Sequence, residues 1–255
     1  MKTTIAMFVV IPAAALLLPG CTGILSGIYD EPAAGPRPES AGELRIDATA
    51  WDKWYYIDLE SSPDSASPEW VAVDVPRAVE GAESATHPDG ECSGIYTYWY
   101  DVFGVGVENR EYQGFAPAEP MDEPEQWTIA VHRNNVRTNG CEVAATPYES
   151  MQEIPSGRDF IESLEFAGDE WDVTSVWVDR DRMLLGVIGN QGVYVNHTLG
   201  DWLKIEIPPM PPVYSHNPRV FILRRCDGSY MALRLADYRG DDGTACVLTI
   251  EFKLL

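Results

Sequence analysis

The segment Trp202–Tyr214, WLKIEIPPMPPVY, constrains the fold most, because it places one methionine between two proline pairs. Each proline fixes φ at about −65°, lacks a backbone N–H and holds the preceding residue in an extended conformation. The segment therefore cannot be a helix or a central strand. We predict a stiff, extended loop that presents the thioether of Met210 at a defined place. A proline-rich connector whose methionine simply packs inward is the alternative interpretation.

Length and composition predict one large or two small domains built of short strands and turns. Since the chain shows no repeat of fixed period and no second hydrophobic unit behind a linker, we predict one mainly β domain of many short antiparallel strands with a few short helices. The 255 residues are 45% hydrophobic, which supports a sizeable core, and 19 prolines and 21 glycines punctuate aromatic and β-branched runs. The 40 acidic residues outnumber the 18 basic ones. This balance argues against nucleic-acid binding, because a phosphate backbone requires a basic surface.

The N-terminus is typical of an export signal rather than of a folded element. Lys2 precedes an apolar run at 5–18 that is too short to span a bilayer comfortably. The four residues LPGC, ending at Cys21, resemble a bacterial lipobox, in which the cysteine becomes the lipidated N-terminus; ordinary secretion with cleavage elsewhere is the alternative. We therefore predict three parts, a signal peptide, a flexible tether and a β domain, at 1–20, 21–42 and 43–255.

Apolar and aromatic runs, several of them alternating with polar residues, predict the strands of the domain. These strands fall at 44–47, 54–59, 70–75, 94–104, 173–178, 182–188, 192–196, 219–225 and 229–238. The run 126–140 predicts a strand, a kink and a turn, and 158–166 predicts a helix. Asp227-Gly228 and Asp241-Asp242-Gly243 predict hairpin turns near the C-terminus.

Four cysteines remain if Cys21 is lipidated, and export permits disulfides among them. If 95–107 and 126–138 are antiparallel partners, Cys92 and Cys141 lie just beyond the same end of that pair. We therefore predict a bridge between these two. In a three-strand meander, Cys226 and Cys246 would lie at opposite ends, about 30 Å apart, too far for a disulfide, and their state is left open.

The common catalytic signatures are missing from the sequence. It contains no HExxH, CxxC, GxSxG or P-loop motif, and its four histidines show no metal-ligand spacing; they are His87, His132, His197 and His216. Some pair of the 40 acidic side chains will lie close in space, but the sequence cannot single it out. An extracellular hydrolase that uses such a pair stays an alternative.

Several segments together resemble the HmuY-like haem-binding lipoproteins of Bacteroidetes. They are WTIAVHRNNVRTNG at 127–140, YWYDVFG at 98–104, the segment 195–202, MPPVY at 210–214 and VFILRRCDGSYMALRLADY at 220–238. The likeness covers about residues 43–255, in the right order and behind a lipobox. It implies a mostly antiparallel β domain that binds one haem and is not an enzyme.

The resemblance also implies axial ligands to the haem iron from two loops, histidines in the founding member and methionines in several relatives. On this chain the second ligand falls at Met210, and the first falls in 179–183, at Met183. The expected cofactor is therefore a low-spin haem b with two axial methionines, whose thioethers are soft, neutral donors. Arg180 and Arg182 are the expected partners of its propionates. A core position in a β segment is the alternative for Met183.

Partners and location follow from the same resemblance. Members of the family take haem from host carrier proteins and pass it to a TonB-dependent outer-membrane receptor. The resemblance thus implies a lipid-anchored outer-membrane protein that faces the cell surface and contacts the membrane through its N-terminal lipid alone. A lipoprotein of the same fold that binds a glycan or a protein, and has lost haem, is the alternative.

Overall fold

The computed structural model describes residues 41–59, 68–78, 95–100, 112–181, 183, 186–206 and 212–255. In this part of the chain the fold is mainly β, as predicted. The strands are β1 Ala41–Asp47, β2 Lys53–Asp58, β3 Glu69–Asp74, β4 Ile95–Tyr100, β5 Tyr112–Pro117, β6 Ile129–His132, β7 Asn135–Thr138, β8 Glu142–Ala145, β9 Glu170–Asp172, β10 Trp177–Asp179, β11 Ile188–Val195, β12 Leu203–Glu206, β13 Val213–His216, β14 Phe221–Arg224, β15 Tyr230–Arg239 and β16 Ala245–Leu254. The helices are a 3-10 turn at Met151–Glu153, α1 at Arg158–Glu162 and α2 at His197–Gly200.

The strands pair antiparallel in three larger sheets and one ribbon. Sheet I has the order β1-β16-β15-β14-β8, and sheet II has the order β3-β2-β6-β7. Sheet III has the order β10-β11-β4-β5, with β9 also paired to β11. The ribbon is the hairpin of β12 and β13.

Sheet II lies between the other two sheets because its strand β2 is buried on both faces. Successive side chains of a strand point to opposite faces. Tyr55 and Ile57 pack in the core that includes sheet I, whereas Trp54 and Tyr56 pack in the core that includes sheet III. The indole N–H of Trp54 donates to the Gln191 side chain of sheet III at 2.8 Å. The aromatic run of β2 therefore requires a layer on each side.

The outer face of sheet I is covered by the segment that contains α1. Ile161 of this helix packs in a third core cluster with Val220, Ile222 and Ala232. No helix in the described ranges is long and apolar enough to cross a membrane.

Several sequence-based predictions of local structure are confirmed. Strands β1, β2 and β3 match the predictions at 44–47, 54–59 and 70–75 within one to three residues. The two C-terminal turns form as predicted, and their glycines, Gly228 and Gly243, have φ values of 79° and 82°. The predicted helix at 158–166 forms as the shorter α1.

The predicted pairing of 95–107 with 126–138 is wrong. Strand β4 pairs with β5 and β11, while β6 pairs with β2 and β7. The geometric reason for the Cys92–Cys141 bridge therefore fails. Cys92 lies outside the described residues, so the bridge itself stays a prediction. Cys226 precedes β15 and Cys246 lies in β16 opposite the last residues of β15, so these two cysteines are separated as expected.

Two predicted strands are replaced in part by turns. At the start of 173–178, the Asp172 carboxylate accepts the backbone N–H groups of Thr174 and Ser175 at 2.6 and 2.8 Å, and strand structure begins at Trp177. In 182–188, the Gly186 N–H donates to the Met183 carbonyl at 2.9 Å, closing a turn. Strand β11 therefore begins at Ile188.

The core can be tested at Leu233, which is fully buried in β15 between β14 and β16. Leu233→Ala should lower the free energy of unfolding by about 2–5 kcal/mol, because it removes buried methyl groups and leaves a cavity. Urea unfolding measures the change. Leu255→Ala is the control, because Leu255 is 43% exposed and its loss should change stability by about 0.5 kcal/mol or less. Equal effects of the two substitutions would contradict the described core.

Candidate functional site

The proline-rich segment falls in the sequence between β12 and β13, which pair antiparallel. Leu203 pairs with His216 and Glu206 pairs with Val213, so the four prolines fall between the two strands. The prediction that all of 202–214 is a loop is therefore wrong for its flanks, which are strands. Neither flank is a helix or a central strand, as the prolines require. The stretch 207–211, including Met210, lies outside the described residues.

Both ends of this hairpin are fixed by the core. Trp202 and Leu203 are fully buried at its start. Tyr214, at its end, packs against the same core cluster, and its ring stacks on that of Tyr238 with the centroids 5.8 Å apart. The loop that carries Met210 thus begins and ends on a rigid base.

Met183 lies in the loop that joins β10 to β11. Its backbone N–H donates to the Arg180 carbonyl at 2.9 Å, and its carbonyl accepts the turn-closing N–H of Gly186. Met183 is half-buried and is absent from the three core clusters that the described residues form. The interpretation of Met183 as a core residue of a strand is therefore not supported. Met183 thus lies in the connection between β10 and β11, and Met210 falls in the sequence between β12 and β13.

Two cavities share the side chain of Trp51, which lies in the connection between β1 and β2. Cavity I has a volume of about 400 Å³, reaches the last residues of β12, and has apolar walls that include Trp177, Leu203 and Ile205. Cavity II has a volume of about 620 Å³ and reaches the start of the β10–β11 loop, at Asp179–Asp181. We call the two together the Trp51 cleft. Their sizes are typical of small-molecule sites.

Two residues at the β6–β7 turn hold the β1–β2 connection in place. His132 Nε2 lies 2.9 Å from the Trp51 carbonyl oxygen, and Arg133 Nη1 donates to the Thr49 carbonyl at 2.8 Å. The Arg133 guanidinium carbon lies 4.0 Å from the centroid of the Trp51 ring, which is cation–π distance. Arg133 has a φ of 56°, because a two-residue turn joins His132 to Asn135.

His132 acts in this contact as a neutral donor. The residue is fully buried, and burial lowers the pKa of its imidazole to about 4. At neutral pH the ring is therefore uncharged. Since the Trp51 carbonyl can only accept, Nε2 carries the proton and donates it. His132 positions Trp51 and does not supply a positive charge to the cleft.

The turn after β9 fixes the opposite wall of cavity I. Burial raises the pKa of Asp172, but hydrogen bonds from Ser175 and Thr174 outweigh burial and lower it, so the carboxylate stays charged. Asp172 also lies 3.5 Å from His197 Nε2. The Trp177 indole N–H donates to the Thr174 carbonyl at 3.1 Å. Trp177 therefore has a fixed orientation in the cavity wall.

The other predicted site residues are placed as follows. Arg180 is exposed, lines cavity II, and has its guanidinium carbon 5.9 Å from the Trp51 ring centroid. Arg182 lies outside the described residues. His197 lines cavity I, whereas His216 is absent from both cavities and contacts the Leu235 carbonyl at 2.7 Å. No group of three or more metal-binding side chains of the kind formed by His, Cys, Asp and Glu occurs among the described residues.

Sequence reasoning missed the residues that build the cleft: Trp51, His132, Arg133 and Trp177. The run 127–140, which carries part of the family resemblance, contains His132 and Arg133. Nothing in the local pattern indicates that these two reach a backbone segment more than 80 positions earlier, as their hydrogen bonds do across 81 and 84 residues. Trp51 itself is an isolated aromatic in a short connection.

Comparison with protein families finds a match to the model described as HmuY protein, over residues 50–252. A comparison with the curated proteins finds no match.

Solved structures of similar fold come from several bacteria. Apo PinO from Porphyromonas gingivitis is 20% identical, with a TM-score of 0.62 over 84% of this chain and 97% of its own. The apo HmuY analog of Tannerella forsythia is also 20% identical, with a TM-score of 0.59 over 85% and 96%. A Bacteroides vulgatus protein, provisionally named an HmuY-like haem-binding protein, is 24% identical, with a TM-score of 0.55 over 84% and 91%. These likenesses show the fold.

The neutral His132 can be tested through the pH dependence of stability. An unfolded histidine has a pKa of about 6.5, so between pH 6.5 and 4 the unfolded chain binds a proton that the folded chain does not. This difference should remove stability as the pH falls through that range, by roughly 3 kcal/mol. His132→Gln keeps an N–H donor but does not titrate. The stability gap between the protein and this variant should therefore shrink from pH 7 to pH 4.5 in urea unfolding.

His197→Gln is the matched control, because the His197 side chain is 50% exposed and lies outside the Trp51 contact. Its stability difference from the parent should change much less between the two pH values. A gap for His132→Gln that is the same at pH 7 and pH 4.5 would contradict a buried, neutral His132.

Proposed function

Because this chain belongs to the HmuY family, we propose that it binds haem in the Trp51 cleft. The observation that carries the proposal is the arrangement of the cleft. Cavity I, whose lining combines Trp51, Trp177 and aliphatic side chains with polar ones, meets cavity II, whose lining includes two arginines and three aspartates, at Trp51. Each cavity reaches a strand next to a connection in which a predicted methionine falls. The name of the Bacteroides vulgatus relative, which shares the fold, agrees with this proposal.

The residues of the cleft fit a porphyrin chemically. A porphyrin has a flat apolar body, which aromatic side chains such as Trp51 and Trp177 can cover, and a carboxylate edge, which arginines can bind. Both indoles are half-buried, so they have surface available to a ligand. The net charge of −22 makes cationic side chains scarce, yet Arg133 and Arg180 both lie at the cleft.

We propose Met183 and Met210 as the axial ligands of a haem b. Met183 lies in a hydrogen-bonded turn. It belongs to none of the core clusters that the described residues form, so its thioether has no packing role in them. Met210 follows from the sequence and from the rigid ends of its hairpin. When bound, two thioethers give a low-spin haem of raised reduction potential. Unlike imidazole, they have no proton to gain at mildly acidic pH.

The proposed role is that of a haem carrier and not of an enzyme. Lipidated at Cys21, the protein would be held on the outer membrane and face the cell surface, take haem from host carrier proteins, and pass it to a TonB-dependent receptor. Arg180 and Arg182 would bind the haem propionates. The resemblance of the N-terminus to a lipobox and the family membership support this role.

Haemin titration of the soluble domain tests the function and the ligands together. The protein should give a saturable, one-to-one Soret shift with low-spin bands. Met183→Leu and Met210→Leu keep the volume but remove the soft donor, so each should weaken haemin binding at least tenfold or convert the spectrum to high-spin. Circular dichroism should show the fold unchanged.

Met151→Leu is the control, because Met151 packs against the third core cluster and is absent from both cavities. Its haemin spectrum should match that of the parent. If Met183→Leu and Met210→Leu bind haemin as the parent does, while His197→Ala or His216→Ala loses binding, histidine is the ligand instead. Absence of any Soret shift, oxidised or reduced, would overturn haem binding and favour a lipoprotein for glycan or protein.

A further inference from the structure

Three arginines at the Trp51 cleft have no carboxylate partner within the described part of the chain. They are Arg77, Arg133 and Arg180, and all three line one of the two cavities. Elsewhere in that part of the chain, seven basic side chains form ion pairs; for example, Arg137 contacts Glu123 at 2.5 Å and Arg234 contacts Glu251 at 2.8 Å. The other described basic residues without an ion pair lie outside both cavities; they are Arg158, Arg219, Arg239 and Lys253. In a chain with 40 acidic residues, unpaired arginines that gather at a cavity point to a negative charge supplied by a ligand.

Arg133 is the most rigidly placed of the three. One of its five N–H groups donates to the Thr49 carbonyl, and the guanidinium lies over the Trp51 ring at 4.0 Å. These contacts fix the group while leaving the other N–H groups without an acceptor among the described residues. Its φ of 56° is unfavourable for a non-glycine residue, so the fold maintains this position at a cost. A fixed cation loses little conformational entropy when it binds an anion.

Arg180 places a second positive charge at the same indole. Its guanidinium carbon lies 5.9 Å from the Trp51 centroid, and the side chain is exposed at the start of the β10–β11 loop. Two cations beside one ring repel each other in the absence of a ligand. A ligand with two carboxylates would remove that repulsion and gain a charge-assisted contact from each. Cavity II is also lined by Asp52, Asp179 and Asp181, which are chain neighbours of Trp51 and Arg180 and oppose anion binding there, so the anchor depends on the cationic side chains of both cavities.

We infer that Trp51, Arg133 and Arg180 form an anchor for the carboxylate edge of the porphyrin, and that this anchor acts independently of the iron. The inference rests on the proposed function and adds Arg133 and Trp51 to the residues expected from the sequence. The indole covers the ring edge, and the two arginines bind the carboxylates. The site therefore selects porphyrins with free carboxylates, with or without a metal.

The test compares protoporphyrin IX with its dimethyl ester, neither of which contains iron. Binding is measured by the quenching of tryptophan fluorescence. The protein should bind the free acid about 10- to 100-fold more tightly than the ester, since a hydrogen bond to a charged group contributes this much. Arg133→Gln and Arg180→Gln should each reduce that preference and leave the affinity for the ester unchanged. Arg219→Gln, at an exposed arginine absent from both cavities, should keep the full preference.

Two variants keep the test decisive if Arg133→Gln fails to fold. The Arg180 side chain makes no hydrogen bond within the described part of the chain, and the Arg180 carbonyl that accepts the Met183 N–H is kept in Arg180→Gln, so this substitution should not affect folding. An equal affinity of the parent protein for acid and ester, or an unchanged preference in the arginine variants, would overturn the anchor. So would a failure of protoporphyrin IX to bind. If haemin gives a Soret shift but the protein binds protoporphyrin IX and its ester equally, the anchor alone is refuted. If the protein prefers protoporphyrin IX to its ester but haemin gives no Soret shift, iron ligation alone is refuted.

Discussion

The cleft depends on two hydrogen bonds from neighbouring residues of one turn. His132 donates to the Trp51 carbonyl and Arg133 donates to the Thr49 carbonyl, so a β-turn on sheet II fixes the connection that leads from sheet I into sheet II. Because the imidazole is buried and neutral, the first bond persists across the physiological pH range. Because the guanidinium also covers the indole, the second bond places a cation and an aromatic ring together.

The layered sheets explain why these elements meet. Strand β2 alternates aromatic side chains between two cores, and this requires sheet I on one side and sheet III on the other. The β6–β7 turn, at the end of β2's partner strand, then lies beside β10 and β12, which belong to different sheets. The two predicted methionine ligands fall in the connections after β10 and β12, between paired strands that provide support.

Local patterns in the sequence predicted the strands well and their pairing poorly. The β2 strand and the turns at Gly228 and Gly243 are determined by residues that are neighbours in the sequence, so the local pattern is enough to predict them. The partners of β4 depend on contacts across about a hundred residues, and alternation within a strand does not specify them. The predicted strand at 182–188 shows a related limit: its apolar residues suit a strand, but the turn around Met183 ends in Gly186, whose φ is 79°.

Only part of the candidate site could be predicted from the sequence. The resemblance indicated two loops and two methionines, because those features are carried by contiguous motifs. Trp51 and Arg133 were missed, because neither an isolated tryptophan nor a turn arginine shows in the sequence that Thr49, 84 positions earlier, lies against the Arg133 side chain. Arginines that lack a carboxylate partner are likewise visible only in three dimensions.

The most direct measurement is a crystal structure of the domain grown with haemin, with diffraction data collected at the iron absorption edge. The account predicts a single strong anomalous peak beside Trp51, within bonding distance of the sulfur atoms of Met183 and Met210. An iron peak elsewhere on the surface, or iron bound through His197 or His216, would contradict it.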